Sequence, residues 1–149
     1  MQIKIYTDGA CAGNPGPGGW AAVILADNNQ KKEIFGGERL TTNNRMELTA
    51  AIKALEFCDL NEGEQLTLKE IKIYTDSMYV KDGITVWFNK WEKNNWKTSD
   101  KKNVKNVDLW KRLREVSLSK NIEWLWVKGH SENLMNELAD SLAKKATPI

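Results

Sequence analysis

The alternation of apolar and polar positions predicts three strands at the start of the chain. Residues 3–8 alternate with the two-residue period of a strand. A glycine- and proline-rich turn at residues 13–19 precedes a second apolar strand over 20–25. Polar residues 27–29 predict a hairpin turn, and a third strand follows over 32–40. Short connections of this kind predict an antiparallel meander.

The hydrophobic period then changes to that of helices. Leu48, Ala51, Ile52 and Leu55 form one apolar stripe at helical spacing. Asn44 as N-cap, with Glu47 three residues later, predicts a capping box. The remaining pattern predicts a strand over 71–75, two or three helical pieces between 77 and 119, a strand over 122–127 and a helix over 135–146. This order predicts an α/β fold, a mixed sheet flanked by helices, in a single domain over residues 1–149.

The composition excludes a membrane-spanning or disordered chain. Hydrophobic residues make up 41% of the 149 residues and charged residues 28%, and no apolar run approaches the roughly 20 residues of a membrane helix. The chain starts directly with a strand pattern, so we expect no signal or transit peptide. Cys11 and Cys58 are too few for a disulfide framework, and we expect a cytoplasmic protein.

The charge is distributed unevenly along the chain. Nine basic and three acidic residues give the segment from Trp87 to Arg114 a net charge of +6, so the rest of the chain carries −4. A basic segment on an acidic body is typical of a polyanion-binding protein. A solvated, lysine-rich helix face explains the same run equally well.

A six-residue repeat places two aspartates at equivalent positions. The sequence IKIYTD occurs at residues 3–8 and again at 71–76. If the two strands are parallel neighbours, Asp8 and Asp76 lie side by side at the carboxyl edge of the sheet. Two carboxylates so close repel each other unless a cation lies between them, and Mg²⁺ prefers such oxygen ligands. Glu47 and Asp140, each on a predicted helix that packs against the sheet, are candidates to complete the group.

Each of these acids also has an ordinary structural explanation. Asp8 and Asp76 suit turns, Glu47 suits a helix cap, and Asp140 suits an ion pair with Lys144 four residues later. The spacing of these residues along the sequence does not decide between these explanations and a shared metal site.

Several motifs together resemble the signature of type 1 ribonucleases H. They follow the same order over nearly the whole chain and comprise YTDG (6–9), TTNNRME (41–47), TDS (75–77), WKT (96–98), KNVDLW (105–110) and KGH (128–130), with Asp140 ten residues after His130. The basic, tryptophan-rich insertion resembles stand-alone bacterial-type enzymes more than a retroviral domain. The resemblance implies a ribonuclease H-like five-stranded mixed sheet, with three antiparallel and two parallel strands.

The resemblance implies a monomeric endonuclease that cuts the RNA strand of an RNA–DNA hybrid and leaves 5′-phosphate and 3′-hydroxyl ends. Two Mg²⁺ ions, or Mn²⁺ in their place, would be held by Asp8, Glu47, Asp76 and Asp140, with Asp8 shared between them. His130 would assist proton transfer. The chain departs from the family pattern at Glu132, a position where the family commonly has glycine. The larger, charged side chain affects the loop that carries His130.

The resemblance also implies how the hybrid is bound. Asn14, Asn43 and Asn44 would read 2′-hydroxyls, although asparagines also suit turns by themselves. Thr42 and Asn106 would hold a DNA-strand phosphate; an arginine often accompanies them, but here Leu40 stands in its place beside Arg39. Among the tryptophans, we expect Trp87 and Trp91 to contact substrate, Trp96 to pack, and Trp110, Trp124 and Trp126 to lie in the core.

Two other functions remain as alternatives. A module of the same fold could bind hybrids without cutting them, and a related metal nuclease could act on a DNA junction. The glycine-rich turn at 13–19 is not read as a nucleotide-binding loop, because it leads into a strand. No histidine or second cysteine lies at the spacing from Cys11 that a metal site would require, so Cys11 is interpreted as a small residue within a strand.

Overall fold

The sheet has five strands in the order β3-β2-β1-β4-β5. The computed structural model describes residues 2–26, 30–62, 69–98, 100–118, 120–127 and 134–148. The strands are β1 (Gln2–Cys11), β2 (Gly16–Leu25), β3 (Lys31–Thr41), β4 (Glu70–Thr75) and β5 (Asn121–Trp126). β1, β2 and β3 pair antiparallel, whereas β4 pairs parallel with β1 and with β5. The predicted meander with two added parallel strands is confirmed; the hairpin turn at 27–29 lies outside the described residues.

The helices cover both faces of this sheet. They are α1 (Asn43–Glu62), α2 (Met78–Asp82), a π-helical turn (Gly83–Trp87) that leads into α3 (Phe88–Lys93), α4 (Val107–Ser117) and α5 (Leu134–Ala146). Helix α1 packs on β1, β2 and α4, and α5 packs on β1 and β2. Among these described helices, none has the length and apolar character needed to span a bilayer.

Strand alternation divides the apolar side chains between the two faces. Ile3 and Ile5 of β1 are buried in the main core together with Leu48 and Leu55 of α1. Tyr6, one position later in β1, belongs to a smaller cluster with α5 instead. Since neighbouring strand residues point to opposite faces, the same short strand can hold both helices. The helical stripe predicted for α1 is therefore its core-facing side.

The repeated hexapeptide forms the parallel pair at the centre of the sheet. Ile3 pairs with Ile71 and Tyr6 with Tyr74, so identical residues stand opposite each other. The two tyrosine rings stack with centroids 4.5 Å apart. The first strand is longer than the predicted 3–8: β1 continues past Asp8 to Cys11 because it pairs with β2 beyond the end of β4, whereas Asp76 directly follows β4.

Two further local predictions were wrong. Asn44 is not the N-cap of α1: the helix begins at Asn43, and the Arg45 amide donates to Thr42 Oγ1 (3.2 Å), which therefore caps the first turn. Trp126 is not a core residue, because it lies at the end of the edge strand β5 with 42% of its surface exposed. Its indole N–H donates to the Asp76 carbonyl (3.2 Å). Trp110 is buried in the core as predicted, whereas Trp124 and Trp96 are half-buried and pack against it.

Candidate active site

Three acidic side chains converge at the carboxyl end of the parallel pair. Each of Asp8, Glu47 and Asp76 offers a carboxylate oxygen, and these oxygens lie within 4.8 Å of one another. The in-register pairing of β1 with β4 brings Asp8 beside Asp76, which directly follows β4. Glu47 comes from the second turn of α1. The backbone topology therefore assembles the group from three separate elements.

Gly9 allows helix α1 to approach the sheet at this point. A Cβ atom there would lie 2.5 Å from the Glu47 backbone nitrogen and 2.7 Å from the Met46 carbonyl carbon. Such contacts are far below van der Waals separation, so any side chain at this position would push the helix away. The glycine after Asp8 thus keeps Glu47 within reach of the two aspartates.

The group is destabilised electrostatically in the absence of a cation. Asp8 and Glu47 expose only 3% and 4% of their surface. Burial raises the pKa of Asp8 from 3.8 to about 8, and the charge of Asp76 adds to this effect. Burial also raises the pKa of Glu47 well above its ordinary value, and the charges of Asp8 and Asp76 act in the same direction. Protons or cations must therefore neutralise the cluster.

The chemistry of these residues fits a hard divalent metal ion. Glu47 Oε1 is buried and has no hydrogen-bond partner in the described part of the chain. Buried polar atoms are ordinarily satisfied, so an oxygen left in this state beside two other carboxylates suits a cation that takes oxygen ligands. The three acids together provide the ligand type that Mg²⁺ prefers.

Asp140 of α5 borders this group. Its carboxyl group lies close enough to that of Asp8 to contribute to the raised pKa of Asp8. Its Oδ2 also lies 3.0 Å from Lys144 Nζ, so the predicted helical ion pair is present as well. The fourth acid therefore contacts the cluster and is partly neutralised by a lysine on its own helix.

Sequence reasoning missed Asn136 and Glu137, which line a small cleft of about 50 Å³ with Asp76 and Asp140. Asn136 is only 3% exposed. It precedes Asp140 by four residues and therefore shares its helix face. A polar residue on the same helix face as the buried Ala139 and Ala143 is the signal that could have identified it. His130 and Glu132, in contrast, lie outside the described residues.

The predicted hybrid-reading asparagines lie at the start of α1. Asn14 Oδ1 accepts a hydrogen bond from the Asn43 amide (3.0 Å), which ties the glycine-rich turn to the helix. Asn43 is exposed and Asn44 is half-buried. Asn14 and Asn43 are thus brought together four residues before Glu47, whose carboxylate belongs to the acidic cluster.

Arg45 connects the two residues predicted to hold a DNA-strand phosphate. Its backbone amide donates to Thr42 Oγ1, and its Nη1 donates to Asn106 Oδ1 (3.2 Å). Asp108 accepts two further hydrogen bonds from the same guanidinium (3.0 and 2.7 Å). From the sequence, we expected the arginine that accompanies this phosphate site at the position of Leu40, which is 75% exposed. Arg45, in the TTNNRME motif, was not considered.

The aromatic side chains of the basic segment form one packed group. Trp87 and Trp91 lie with ring centroids 5.6 Å apart, and both are half-buried. Trp91 also packs against Trp110 in the core. The two arginines of this segment form ion pairs with acids: Arg112 with Glu56 and Glu115, and Arg114 with Glu92. The lysines therefore supply most of the charge that the segment presents to solvent.

Comparison with known proteins gives consistent matches over the whole chain. The RNase H family model matches residues 1–147. Ribonuclease H of Wolbachia sp. subsp. Drosophila simulans (strain wRi) is 55% identical over 149 residues, covering 97% of this chain and 94% of its own. Ribonuclease H of Methylobacillus flagellatus is 55% identical over 146 residues, covering 96% of this chain and 89% of its own.

Solved structures show the same architecture. LC9-RNase H1, described as a type 1 RNase H with the type 2 active-site motif, is 29% identical and superimposes with a TM-score of 0.84, over 98% of this chain and 72% of its own. LC11-RNase H1, solved in complex with an RNA/DNA hybrid, is 24% identical with a TM-score of 0.75, over 97% of this chain and 96% of its own. The second likeness concerns the fold alone.

Proposed function

The chain belongs to the type 1 ribonuclease H family, and we propose that this enzyme hydrolyses the RNA strand of RNA–DNA hybrids internally, leaving 5′-phosphate and 3′-hydroxyl ends. The observation that carries the proposal is the group formed at the sheet edge by the buried Asp8 and Glu47 and the half-buried Asp76. A relative of the same fold has been solved with an RNA/DNA hybrid, which supports this substrate class.

Asp8, Glu47, Asp76 and Asp140 are the proposed ligands of two Mg²⁺ ions, with Mn²⁺ as the alternative metal. Bound divalent ions supply a water of lowered pKa and neutralise charge that develops on the phosphate and on the departing 3′ oxygen. Asp8 interacts with each of the other three acids, so its loss disturbs the whole group.

The acids themselves control when a cation can bind. Because the pKa values of Asp8 and Glu47 are raised, both carboxyl groups tend to keep their protons in the metal-free protein. A cation must displace these protons, so metal affinity should increase with pH through neutrality. Burial of both side chains also keeps bulk water away from the reacting region.

The remaining proposed roles concern the substrate. Asn14, Asn43 and Asn44 would read 2′-hydroxyls of the RNA strand across the minor groove. Thr42 and Asn106 would hold a phosphate of the DNA strand, with Arg45 between them. Trp87 and Trp91 would contact the substrate, and His130 would assist proton transfer. A monomeric, cytoplasmic enzyme in a single domain remains the expectation.

The acidic cluster argues against a module that binds hybrids without cutting them. Binding a phosphate backbone requires positive charge, and a buried group of repelling carboxylates opposes it. Such a group is useful when it holds cations that act on the phosphate. The described geometry therefore favours catalysis over binding alone.

Cleavage of a labelled RNA–DNA hybrid tests the proposal directly. The reaction is run with Mg²⁺, with chelator, and with Asp76→Asn; Asp59→Asn is the control, since Asp59 lies in the second half of α1 and pairs with Lys120. We expect metal-dependent cutting of the RNA strand alone, abolished by chelator and by Asp76→Asn but retained in the control. Single-stranded RNA, duplex DNA and a four-way junction are compared in parallel. Preferred cutting of the junction, or hybrid binding without cutting in both Mg²⁺ and Mn²⁺, would refute it.

A further inference from the structure

Asp76 differs from the other two acids of the cluster in the backbone that carries it. Asp8 lies within β1 and is paired with β2, and Glu47 lies within helix α1. Asp76 instead lies in the bend between the end of β4 and the start of α2. The hydrogen bonds of a ladder and of a helix hold the backbone of the first two acids, so the backbone of Asp76 needs other partners.

Two side chains supply these partners, one on each side of the peptide bond that follows Asp76. The Asp76 carbonyl accepts a hydrogen bond from Trp126 Nε1 (3.2 Å). The Ser77 amide, at the other end of the same peptide unit, donates to Thr75 Oγ1 (3.1 Å). Both polar groups of the peptide unit between Asp76 and Ser77 are therefore held by side chains.

The residues on either side of Asp76 are anchored as well. The Thr75 carbonyl accepts a hydrogen bond from the Val127 amide (2.9 Å), and Ser77 Oγ accepts one from the Val80 amide (3.2 Å), which caps α2. The plane of the peptide unit after Asp76 sets the ψ angle of that residue, and the side-chain rotamers that are allowed depend on ψ. Fixing this plane therefore restricts the directions that the Asp76 carboxylate can take.

Packing alone does not account for Trp126. Trp110 is fully buried, whereas Trp126 leaves 42% of its surface exposed at the end of the edge strand β5. It stands opposite Thr75 in the register of β4 and β5, one residue short of Asp76, and its indole N–H extends to the Asp76 carbonyl. An indole carries a single polar group, which can only donate, so this one hydrogen bond uses the whole polar function of the side chain.

We propose that Trp126 and Thr75 are positioning residues, which orient the Asp76 carboxylate for cation binding by fixing the peptide unit that follows it. Neither side chain is itself a ligand, because each acts through the backbone next to Asp76. The ligand role of Asp76 rests on the proposed function. Contacts that hold a ligand in place contribute to metal affinity, since a ligand that is free to turn away must be ordered again when the ion binds.

The test uses Trp126→Phe, which removes the indole N–H but keeps an aromatic ring, and Thr75→Val, which removes the hydroxyl group but keeps the branched shape. Mg²⁺ affinity is measured by calorimetric titration without substrate, and thermal melting in chelator verifies that each variant is folded. We expect each variant to bind Mg²⁺ roughly tenfold more weakly. Thr75→Ser, which retains the acceptor, should restore most of the affinity. Trp124→Phe, two residues earlier in β5, is the matched control, because Trp124 packs against the main core.

Kinetics and a double variant separate positioning from a general loss of structure. At a Mg²⁺ concentration that half-saturates the unsubstituted protein, kcat should fall in both variants, while KM for the hybrid stays within about twofold and a higher Mg²⁺ concentration recovers kcat. Because both substitutions free the same peptide unit, the double variant should lose little more affinity than either single one.

Unchanged Mg²⁺ affinity in Trp126→Phe and Thr75→Val, an equal loss in Trp124→Phe, or full addition of the two losses in the double variant would overturn the proposal. A higher KM with unchanged Mg²⁺ affinity would also overturn it, because Trp126 would then contact the hybrid instead of positioning Asp76. If one variant does not fold, the other decides: Trp126→Phe against Trp124→Phe, or Thr75→Val against Thr75→Ser.

The outcomes also distinguish this inference from the proposed function. If the unsubstituted protein neither binds Mg²⁺ nor cuts the hybrid, the function and the positioning role fail together. If it does both, and Asp76→Asn abolishes both, unchanged Mg²⁺ affinity in the Trp126 and Thr75 variants refutes the positioning role alone.

Discussion

Replacement of Asp8 by asparagine should stabilise the metal-free protein, although it removes a group central to the proposed activity. The pKa of Asp8 is raised from 3.8 to about 8, mainly by burial. Between these values the folded protein holds a proton that the unfolded chain releases, so stability falls as pH rises through this window. Asparagine does not titrate, and its amide can donate to the neighbouring carboxylates.

The size of the effect follows from the same values. At pH 7 the medium lies about three pH units above 3.8, and each unit corresponds to 1.36 kcal/mol, which gives an upper limit of about 4 kcal/mol. Local relaxation and shared protons within the cluster reduce this, so we expect about 2 kcal/mol. For a chain of 149 residues this raises the melting temperature by about 4–8 °C. The difference should shrink as the pH falls toward 3.8 and disappear below that value, where Asp8 of the unsubstituted protein holds its proton in both the folded and the unfolded state.

Urea denaturation in chelator between pH 4 and 8.5 measures this directly for the unsubstituted protein and Asp8→Asn. Asp108→Asn provides a control of opposite sign, because Arg45 lowers the pKa of that carboxyl group. Its side chain is 62% exposed, so we expect a loss below about 1 kcal/mol at pH 7–8. Added Mg²⁺ should reduce the stability difference between Asp8→Asn and the unsubstituted protein, since the ion binds the intact acids of the unsubstituted protein in its folded state. The repulsion argument is refuted if Asp8→Asn has a lower free energy of unfolding than the unsubstituted protein at pH 8 and this difference does not shrink as the pH falls to 4.

Two substitutions test the packing that supports the site. Gly83→Ala should destabilise the protein by about 3 kcal/mol, because its Cβ would lie 2.0 Å from the buried Trp110 ring; a denaturation midpoint no lower than that of Asn89→Ala, on the exposed face of α3, would contradict this. Thr42→Ala should lower stability by about 1 kcal/mol, because the Arg45 amide loses its cap. Thr42→Ser, which keeps the hydroxyl group, should retain most of that stability in the same denaturation assay, and an equal loss in both variants would exclude the capping role.

The strands, the main helices and their order along the chain could be predicted from the hydrophobic pattern alone. Hydrophobic period is a local property that follows from strand and helix geometry, so it could be read without any tertiary contact. The IKIYTD repeat went further, since it brings Asp8 and Asp76 together if the two strands are parallel neighbours, and the structure does pair Ile3 with Ile71 in parallel. Motif resemblance then indicated which acids to consider.

How those residues meet depends on contacts between elements that are distant in the chain. Strand β1 extends past Asp8 because β2 is available as a partner, and Trp126 is exposed because β5 is an edge strand. The raised pKa of Asp8 and the hydrogen bond from Trp126 to Asp76 depend on distances between elements far apart in the chain. Local pattern states which face of an element is buried, whereas burial, charge repulsion and hydrogen-bond direction arise only when separate elements are packed together.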